Sequence, residues 1–429
     1  MNYFNDLKKK INTKKTTIGV IGLGYVGLPL ALLYLKKKFK VIGFDIDKKK
    51  IENLKIRKSY LSHISDNQLK KSLKFNFTAT NNFKLINKID IIILCLPTPL
   101  TNKLIPDLSY IKNTFSKIFP YLKKGQLLIL ESSTYPGSTR EIFYQKIYKK
   151  KFDIGKNFFI GYSPEREDPS NKEFTIESIP KICSGISFNC STLTRLIYSK
   201  IVQKIVLVKN VETAEFAKIF ENTFRSVNIA LVNEMKILCH KLKLNIFDVI
   251  NAAKTKPFGF QTFYPGPGVG GHCIPVDPYY LSWVAKKKNM KLNFVELAGN
   301  INRTMPSWII KQSITKNKKK LKILLIGVSY KKNVGDTRES PALDFIKNLK
   351  KKGHIVNYYD PIVKKISSRK LKNELKTIKL TPNNLKKQDL VYILTNHSNV
   401  NYNLIKKNSK KIIDTRNVYK KKFKNVNIL

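Results

Sequence analysis

The stretch 263–280, FYPGPGVGGHCIPVDPYY, sets Cys273 in a run of glycines and prolines, with His272 before it and Asp277 four residues on. A cysteine so placed has four uses open to it: metal ligand, redox thiol, nucleophile, or small residue in a crowded loop. Metal binding is disfavoured, because adjacent residues rarely chelate one tetrahedral ion and no partners are spaced to complete it. A redox pair lacks its second cysteine. That leaves a buried structural cysteine, or a nucleophile in a loop whose glycines let backbone approach a ligand closely. As a nucleophile it would capture an aldehyde-level intermediate, a nearby ammonium would lower its pKa, and Asp277 would orient a water for release.

What favours the nucleophile is a second motif. Gly22-Leu23-Gly24-Tyr25-Val26-Gly27 is GxGxxG between an apolar run and a helix-like segment, where a pyrophosphate can rest on amide N–H groups. Asp45 ends the next apolar run, 18 residues past Gly27, where a carboxylate takes ribose hydroxyls and repels a 2′-phosphate. NAD is therefore the expected cofactor. Pro97-Thr98-Pro99 and Ser132-Ser133-Thr134 follow two further apolar runs, at the strand ends where open sheets bind ligands. Lys218 and Asn222, four apart, share one face of a helix. By itself such a lysine is a solvated charge, and it gains interest only beside Cys273.

These residues need strands and helices to hold them. IGVIGLG, VIGFDID (41–47), IDIIILCLPTP (89–99) and LLILESST (127–134) are short apolar runs separated by helix-length stretches. That rhythm predicts βαβ units and a parallel sheet. KILLIGVSY (322–330), HIVNYYDP (354–361), DLVYILTNH (389–397) and KIIDTRN (411–417) repeat it, with Asp360 in the place of Asp45. Between the two series, 212–240 has helical apolar spacing and neither proline nor glycine, and predicts one long helix. A lysine-rich boundary follows near Asn317 to Lys320. The expected fold class is α/β: two Rossmann-like doubly wound domains joined by a central α-helical region with one long helix. The domains are expected at 1–208 (NAD-binding), 209–315 (central) and 316–429 (the second α/β series).

The chain has 429 residues, enough for two or three domains, and a formal charge of +52. Only nine of its 81 basic residues are arginine, and the lysines lie in short runs along the whole length rather than in one block. Nucleic-acid readers concentrate charge and favour arginine, so the composition speaks against that class, though the field would attract an anionic substrate. A basic binding protein on a dehydrogenase-like scaffold is the alternative from another class. Salt-dependent RNA binding without NADH production would favour it. Five scattered cysteines suit a reducing, cytoplasmic compartment. Thr16 to Leu35 is uncharged and could pass for a membrane span, but its four glycines and Pro29 predict strand, turn and buried helix instead.

GVIGLGYVGLPLA, LPTPL, ESSTYPGSTRE, SPERE, AEFAKIFENTFRSVNIALVNE, PGPGVGGHCIPVDP and GVSYKKNVGDTRESPA together resemble the UDP-glucose/GDP-mannose dehydrogenase family, in order, from about residue 16 to 417. Within it, TKPFGFQTFYPGPGVGGHCIPVDPYYLSW is most similar to the branch acting on UDP-N-acetylglucosamine in surface polysaccharide (O-antigen) synthesis; UDP-glucose members carry serine where His272 stands. The resemblance implies a four-electron oxidation of the sugar C6 alcohol to a uronic acid, using two NAD⁺. Cys273 would form a thiohemiacetal and then a thioester, with Lys218 stabilising oxyanions and Asn222 assisting. Asp277 and Thr134 would position water or alcohol, and Glu165 would serve hydrolysis as base or water holder. It further implies cofactor contacts from Gly22, Gly24, Tyr25, Val26, Gly27, Asp45, Pro97, Thr98, Thr134 and Arg338. Substrate contacts would come from Glu165, Arg166, Lys218, Tyr264, Gly270, Lys331 and Arg416. A homodimer through the long helix is implied, with no metal, nucleic acid or membrane. The alternative substrate is UDP-glucose or another UDP-N-acetylhexosamine. One departure stands out: Glu167-Asp168-Pro169-Ser170 follows SPER where the branch has an Asn-Pro-Gly turn.

Overall fold

The computed structural model describes residues 2–61, 64–73, 76–167, 173–314, 320–368, 371, 373–421 and 423–429. Asp168-Pro169-Ser170 and the 317–319 part of the lysine-rich boundary lie outside the described residues. The chain groups into two compact units, Met1–Glu221 with Trp283–Asn289, and Asn222–Ser282 with Met290–Leu429.

The first unit holds an eight-stranded sheet: β1 (Thr17–Ile21), β2 (Lys40–Phe44), β3 (Phe77–Thr80), β4 (Ile91–Leu94), β5 (Leu127–Leu130), β6 (Phe159–Tyr162), β7 (Lys181–Gly185) and β8 (Ile205–Leu207). The spatial order is β3-β2-β1-β4-β5-β6-β7-β8, parallel throughout except for the β6–β7 pair. IIIL in β4 and LLIL in β5 are buried at every position, as strands covered on both faces must be. The uncharged run at 16–35 resolves into β1, a glycine turn and the helix Gly27–Lys36. Strands β3, β6, β7 and β8 were not legible, because FTAT, FIGY, KICSG and IVL are short or broken by glycine and polar residues. An unexpected helix, Tyr3–Asn12, is capped by the Asn2 side chain and buries Leu7 and Ile11 in the first core.

The second unit holds β9 (Lys322–Ile326), β10 (Ile355–Tyr359), the small antiparallel pair β11 (Lys365–Ile366) and β12 (Leu375–Lys376), then β13 (Leu390–Ile393), β14 (Ile412–Asp414) and β15 (Val426–Ile428). Its main sheet is all parallel in the order β10-β9-β13-β14-β15, again doubly wound. The expected helix over 212–240 spans Val211–Lys241. It buries polar residues, Glu215, Lys218, Asn222, Asn233 and Lys236, and exposes large apolar ones, Phe216, Phe220, Phe224, Leu231 and Leu238. That is the reverse of an ordinary surface helix. No helix among the described residues is long and apolar enough to cross a membrane.

Candidate active site

The crevice of a doubly wound sheet opens where strand order reverses, here between β1 and β4. The three motif glycines after β1 differ in what forces them. Gly22 has φ +94°, and a Cβ on it would stand 2.3 Å from the Cys95 carbonyl oxygen. A Cβ on Gly27 would stand 2.0 Å from the Gly22 carbonyl oxygen, so this glycine closes helix against turn. A Cβ on Gly24 would meet nothing within 4 Å, so that face is open for a pyrophosphate. Gly24→Val should therefore leave thermal stability near wild type but weaken NAD⁺ binding by roughly tenfold or more, at about 1.4 kcal/mol per tenfold. Gly27→Ala should lower stability by over ~1 kcal/mol through overpacking. Melting curves and NAD⁺ titration separate the two, and equal NAD⁺ affinity in Gly24→Val would discount the cradle.

Asp45 follows β2 and is nearly buried. Its Oδ2 accepts from Leu23 N at 3.0 Å, holding the glycine turn from beneath, and its Oδ1 accepts from Asp47 N at 2.9 Å. Lys50 Nζ lies 3.1 Å from Oδ2, a cation at the ribose end of the crevice that sequence reading missed among its lysine neighbours. Pro97 and Thr98 follow β4, Thr134 follows β5, and Glu165 and Arg166 follow β6. The candidate residues thus occupy the carboxyl ends of adjacent strands in the order β2, β1, β4, β5, β6. Thr134 Oγ1 is fully buried and, among the described residues, without a hydrogen-bond partner. A buried hydroxyl in that state awaits an acceptor or donor from a ligand. The open glycine, the carboxylate and this hydroxyl fit NAD.

Two supports of these strand ends were not legible in the sequence. Glu215, buried on the long helix, accepts from Gly137 N (2.6 Å), Ser138 Oγ (2.8 Å), Thr139 N (2.8 Å) and Thr139 Oγ1 (2.6 Å), pinning the loop that follows Thr134. Burial pushes its carboxyl up to about 7 against these donors. The other support is an ion cluster. Lys181, buried at the start of β7, pairs with Glu131 at the end of β5, and its Nζ lies 3.5 Å from Glu165 Oε2. Cys95 Sγ donates to Glu131 Oε2 at 3.3 Å. Glu165 also accepts from the backbone N–H of Arg166 and of Glu167. Burial works against ionisation of Glu165, but the charges of Lys181 and Lys218 hold its carboxyl below the ordinary value. Arg166 is committed to Glu221 at 2.7 Å and to the Pro180 carbonyl at 2.7 Å.

In the second unit, Asn222 Nδ2 donates to Asp277 Oδ2 at 2.6 Å, both side chains buried. The Cys273 carbonyl accepts from Val276 N (3.0 Å) and Asp277 N (2.8 Å), so Cys273 and Asp277 share one turn at the start of the helix Asp277–Lys287, against which Asn222 packs from the long helix. Cys273 is partly exposed. Gly270 and Gly271 are needed for close approach, since Cβ atoms there would stand 2.7 Å and 2.8 Å from Tyr330. Burial and the Arg338 charge push His272 down to about 4, leaving it neutral at neutral pH. Tyr264 is half exposed, stacks on Phe247 and donates to Asn251 at 3.4 Å. Lys331 follows β9 in the turn that Gly270 and Gly271 touch through Tyr330. Arg338 is clamped to Asp336 at 2.6 Å. Arg416 donates from Nε to the Leu394 carbonyl at 2.8 Å and lies against Gly266. No group of three metal-ligating side chains occurs among the described residues.

A glycine turn hooked to an acidic strand end, in the crevice of a doubly wound sheet, defines a dinucleotide-binding oxidoreductase. The NAD binding domain of the UDP-glucose/GDP-mannose dehydrogenase family matches residues 16–202, its central domain 212–304 and its UDP binding domain 324–421. The chain belongs to this family and is an NAD-dependent nucleotide-sugar dehydrogenase. It is 34% identical to the UDP-N-acetyl-D-glucosamine 6-dehydrogenase of Pseudomonas aeruginosa, over 82% of this chain and 84% of the other. It is 32% identical to the UDP-N-acetyl-D-mannosamine dehydrogenase of Pyrococcus horikoshii, over 94% and 96%. The solved structure of the UDP-D-ManNAc dehydrogenase from that organism superposes with a TM-score of 0.82 at 31% identity, covering 94% and 95% of the two chains.

Proposed function

We propose that the chain oxidises the C6 hydroxyl of UDP-N-acetyl-D-glucosamine to the uronic acid through a covalent Cys273 intermediate, in the cytoplasm, for surface polysaccharide such as O-antigen. The observation that carries this reading is the 2.6 Å bond between Asn222 and Asp277 on the turn that bears Cys273. NAD⁺ supplies the two-electron acceptor for each of the two oxidations. The Cys273 sulfur adds to the aldehyde carbonyl carbon, and the oxygen takes up the negative charge. Lys218, one turn before Asn222 on the same helix, supplies the cation for that oxygen and Asn222 a neutral donor. After the second oxidation, water attacks the thioester carbon, gives its proton to Glu165 or Asp277, and the thiolate leaves. Thr134 holds the reacting oxygen. Arg338 joins Gly22, Gly24, Tyr25, Val26, Gly27, Asp45, Pro97 and Thr98 on the cofactor. Arg166, Tyr264, Gly270, Lys331 and Arg416 bind the nucleotide sugar.

The domain division that suits this chemistry is 1–208, 209–315 and 316–429. The apolar stripe on the exposed face of the long helix, Phe216, Phe220, Phe224, Leu231 and Leu238, supports a homodimer through that helix. UDP-N-acetylmannosamine is the second reading, favoured by the names of several relatives. Initial rates on UDP-glucose and the UDP-N-acetyl derivatives of glucosamine, mannosamine and galactosamine decide between them. Two NADH should form per acid released from the best substrate, and light scattering should give twice the 49.5 kDa chain mass. One NADH per substrate with a stable aldehyde or ketone product would overturn the four-electron reading, and a monomer would remove the dimer.

A further inference from the structure

We propose that Lys236, together with Arg416, forms a binding site for the diphosphate of a nucleotide. The proposal rests on the nucleotide-sugar reading and adds to it a residue that no motif singles out. Lys236 lies on the long helix, 2% exposed, and its ammonium meets no hydrogen-bond partner among the described residues. A buried amine without a hydrogen-bond partner is costly, so its retention points to a ligand. One turn earlier, Asn233 Oδ1 accepts from Gly266 N at 3.0 Å, and Asn233 Nδ2 donates to Asn302 Oδ1 at 2.9 Å. Gly266 is pressed on Arg416, since a Cβ there would stand 2.6 Å from Nη1. The guanidinium therefore sits beside the helical turn that carries Lys236.

Arg416 spends Nε on the Leu394 carbonyl, and its outer nitrogens donate to no described residue. The carboxylate that acts on Lys236 belongs to Asp414, which already accepts from the backbone N–H of Arg416 at 2.9 Å and of Tyr419 at 3.1 Å. Burial first, and then the Arg416 charge, push Lys236 down to about 7, with Asp414 pulling the other way. A diphosphate matches this pair. It brings two or more negative charges and several acceptors to an ammonium and a guanidinium fork. Lys236 is fourteen residues beyond Asn222, about 21 Å and close to four helical turns, so the two share one side of the helix. The loop runs alongside, with Gly266 at Asn233 and Asp277 at Asn222. A nucleotide sugar laid along it would put its phosphates toward Lys236 and its sugar toward Cys273.

Calorimetric titration of UDP and of uridine into wild type and Lys236→Met tests the site. UDP should bind at least tenfold more weakly to the variant, uridine and NAD⁺ equally to both, and Lys236→Arg should recover part of the loss. Equal UDP affinity overturns the site, and an equal loss for uridine overturns the diphosphate assignment. Proton uptake on UDP binding to the wild type at pH 8, measured in buffers of different ionisation enthalpy, needs no variant. Uptake approaching one proton supports Lys236 becoming charged as the diphosphate binds. Failure of the dehydrogenase reading would show separately, as absent NADH from every nucleotide sugar despite UDP binding.

Discussion

Cys273→Ala should abolish net acid formation while leaving fold and nucleotide-sugar binding intact. A kcat loss of roughly three orders of magnitude or more is the scale for removing a covalent nucleophile. The fold should survive because Cys273 supports its turn through the backbone carbonyl, which accepts from Val276 N and Asp277 N and which alanine retains. Cys273→Ser keeps a nucleophile of poorer reactivity and should be slow at both capture and release. The diagnostic readout is the ratio of NADH to uronic acid, with a hydroxylamine trap for released aldehyde. Wild-type turnover and two NADH per acid in Cys273→Ala would remove the covalent intermediate from the mechanism.

The second large effect belongs to a residue the chemistry never touches. Lys181→Met should cost about 3–5 kcal/mol, because it leaves the buried Glu131 without its cation and the neighbouring Glu165 with Lys218 alone. Against a typical total of about 5–15 kcal/mol, that is a large part of the stability. The double variant Glu131→Gln/Lys181→Met should recover much of it, since a neutral pair leaves one fewer uncompensated charge. Urea midpoints measure both, and a single variant as stable as wild type would refute the cluster's structural role. The pH dependence has a definite sign. The folded value of Glu165 is lowered from the ordinary 4.5, so its contribution is complete above 4.5 and is lost as pH falls through the folded value. Without Lys181 that folded value rises, so acid unfolding should begin at higher pH. The acid limb of kcat should move up with it if Glu165 is the base.

The parts of this molecule legible in its sequence are those that steric exclusion enforces. Gly22 and Gly27 have carbonyl oxygens where a side chain would go, so the motif is written in composition. The long helix was legible because nothing in 212–240 can break it. Lys181, Lys236 and Lys50 were not legible, because the chain has 72 lysines (81 basic residues less nine arginines) and nothing local distinguishes a buried one. Burial of a charge is decided by what packs on it from distant strands, as Glu131 does for Lys181 across 50 residues. Glu215 was hidden for the same reason, since its three partners, Gly137, Ser138 and Thr139, lie on a loop more than 70 residues earlier. Arg166 shows the converse. Its motif place was legible, but not the carboxylate, Glu221, that holds it.

The carboxylate beneath the glycine turn occurs twice. Asp45 accepts from Leu23 N in the first unit, and Asp360 from Val328 N at 2.8 Å in the second, each from the end of the second strand of its sheet. Around Asp360 the remaining acceptor capacity is spent inside the protein, on Ser329 N, Ile362 N, Val363 N and the buried His397 ring at 3.1 Å. Around Asp45 it is shared with Asp47 N and with a partly exposed lysine, Lys50. The same latch is thus a socket in one half of the chain and a rivet in the other. A designer wishing to graft a second cofactor onto this scaffold would begin by taking out His397, rather than by adding glycines.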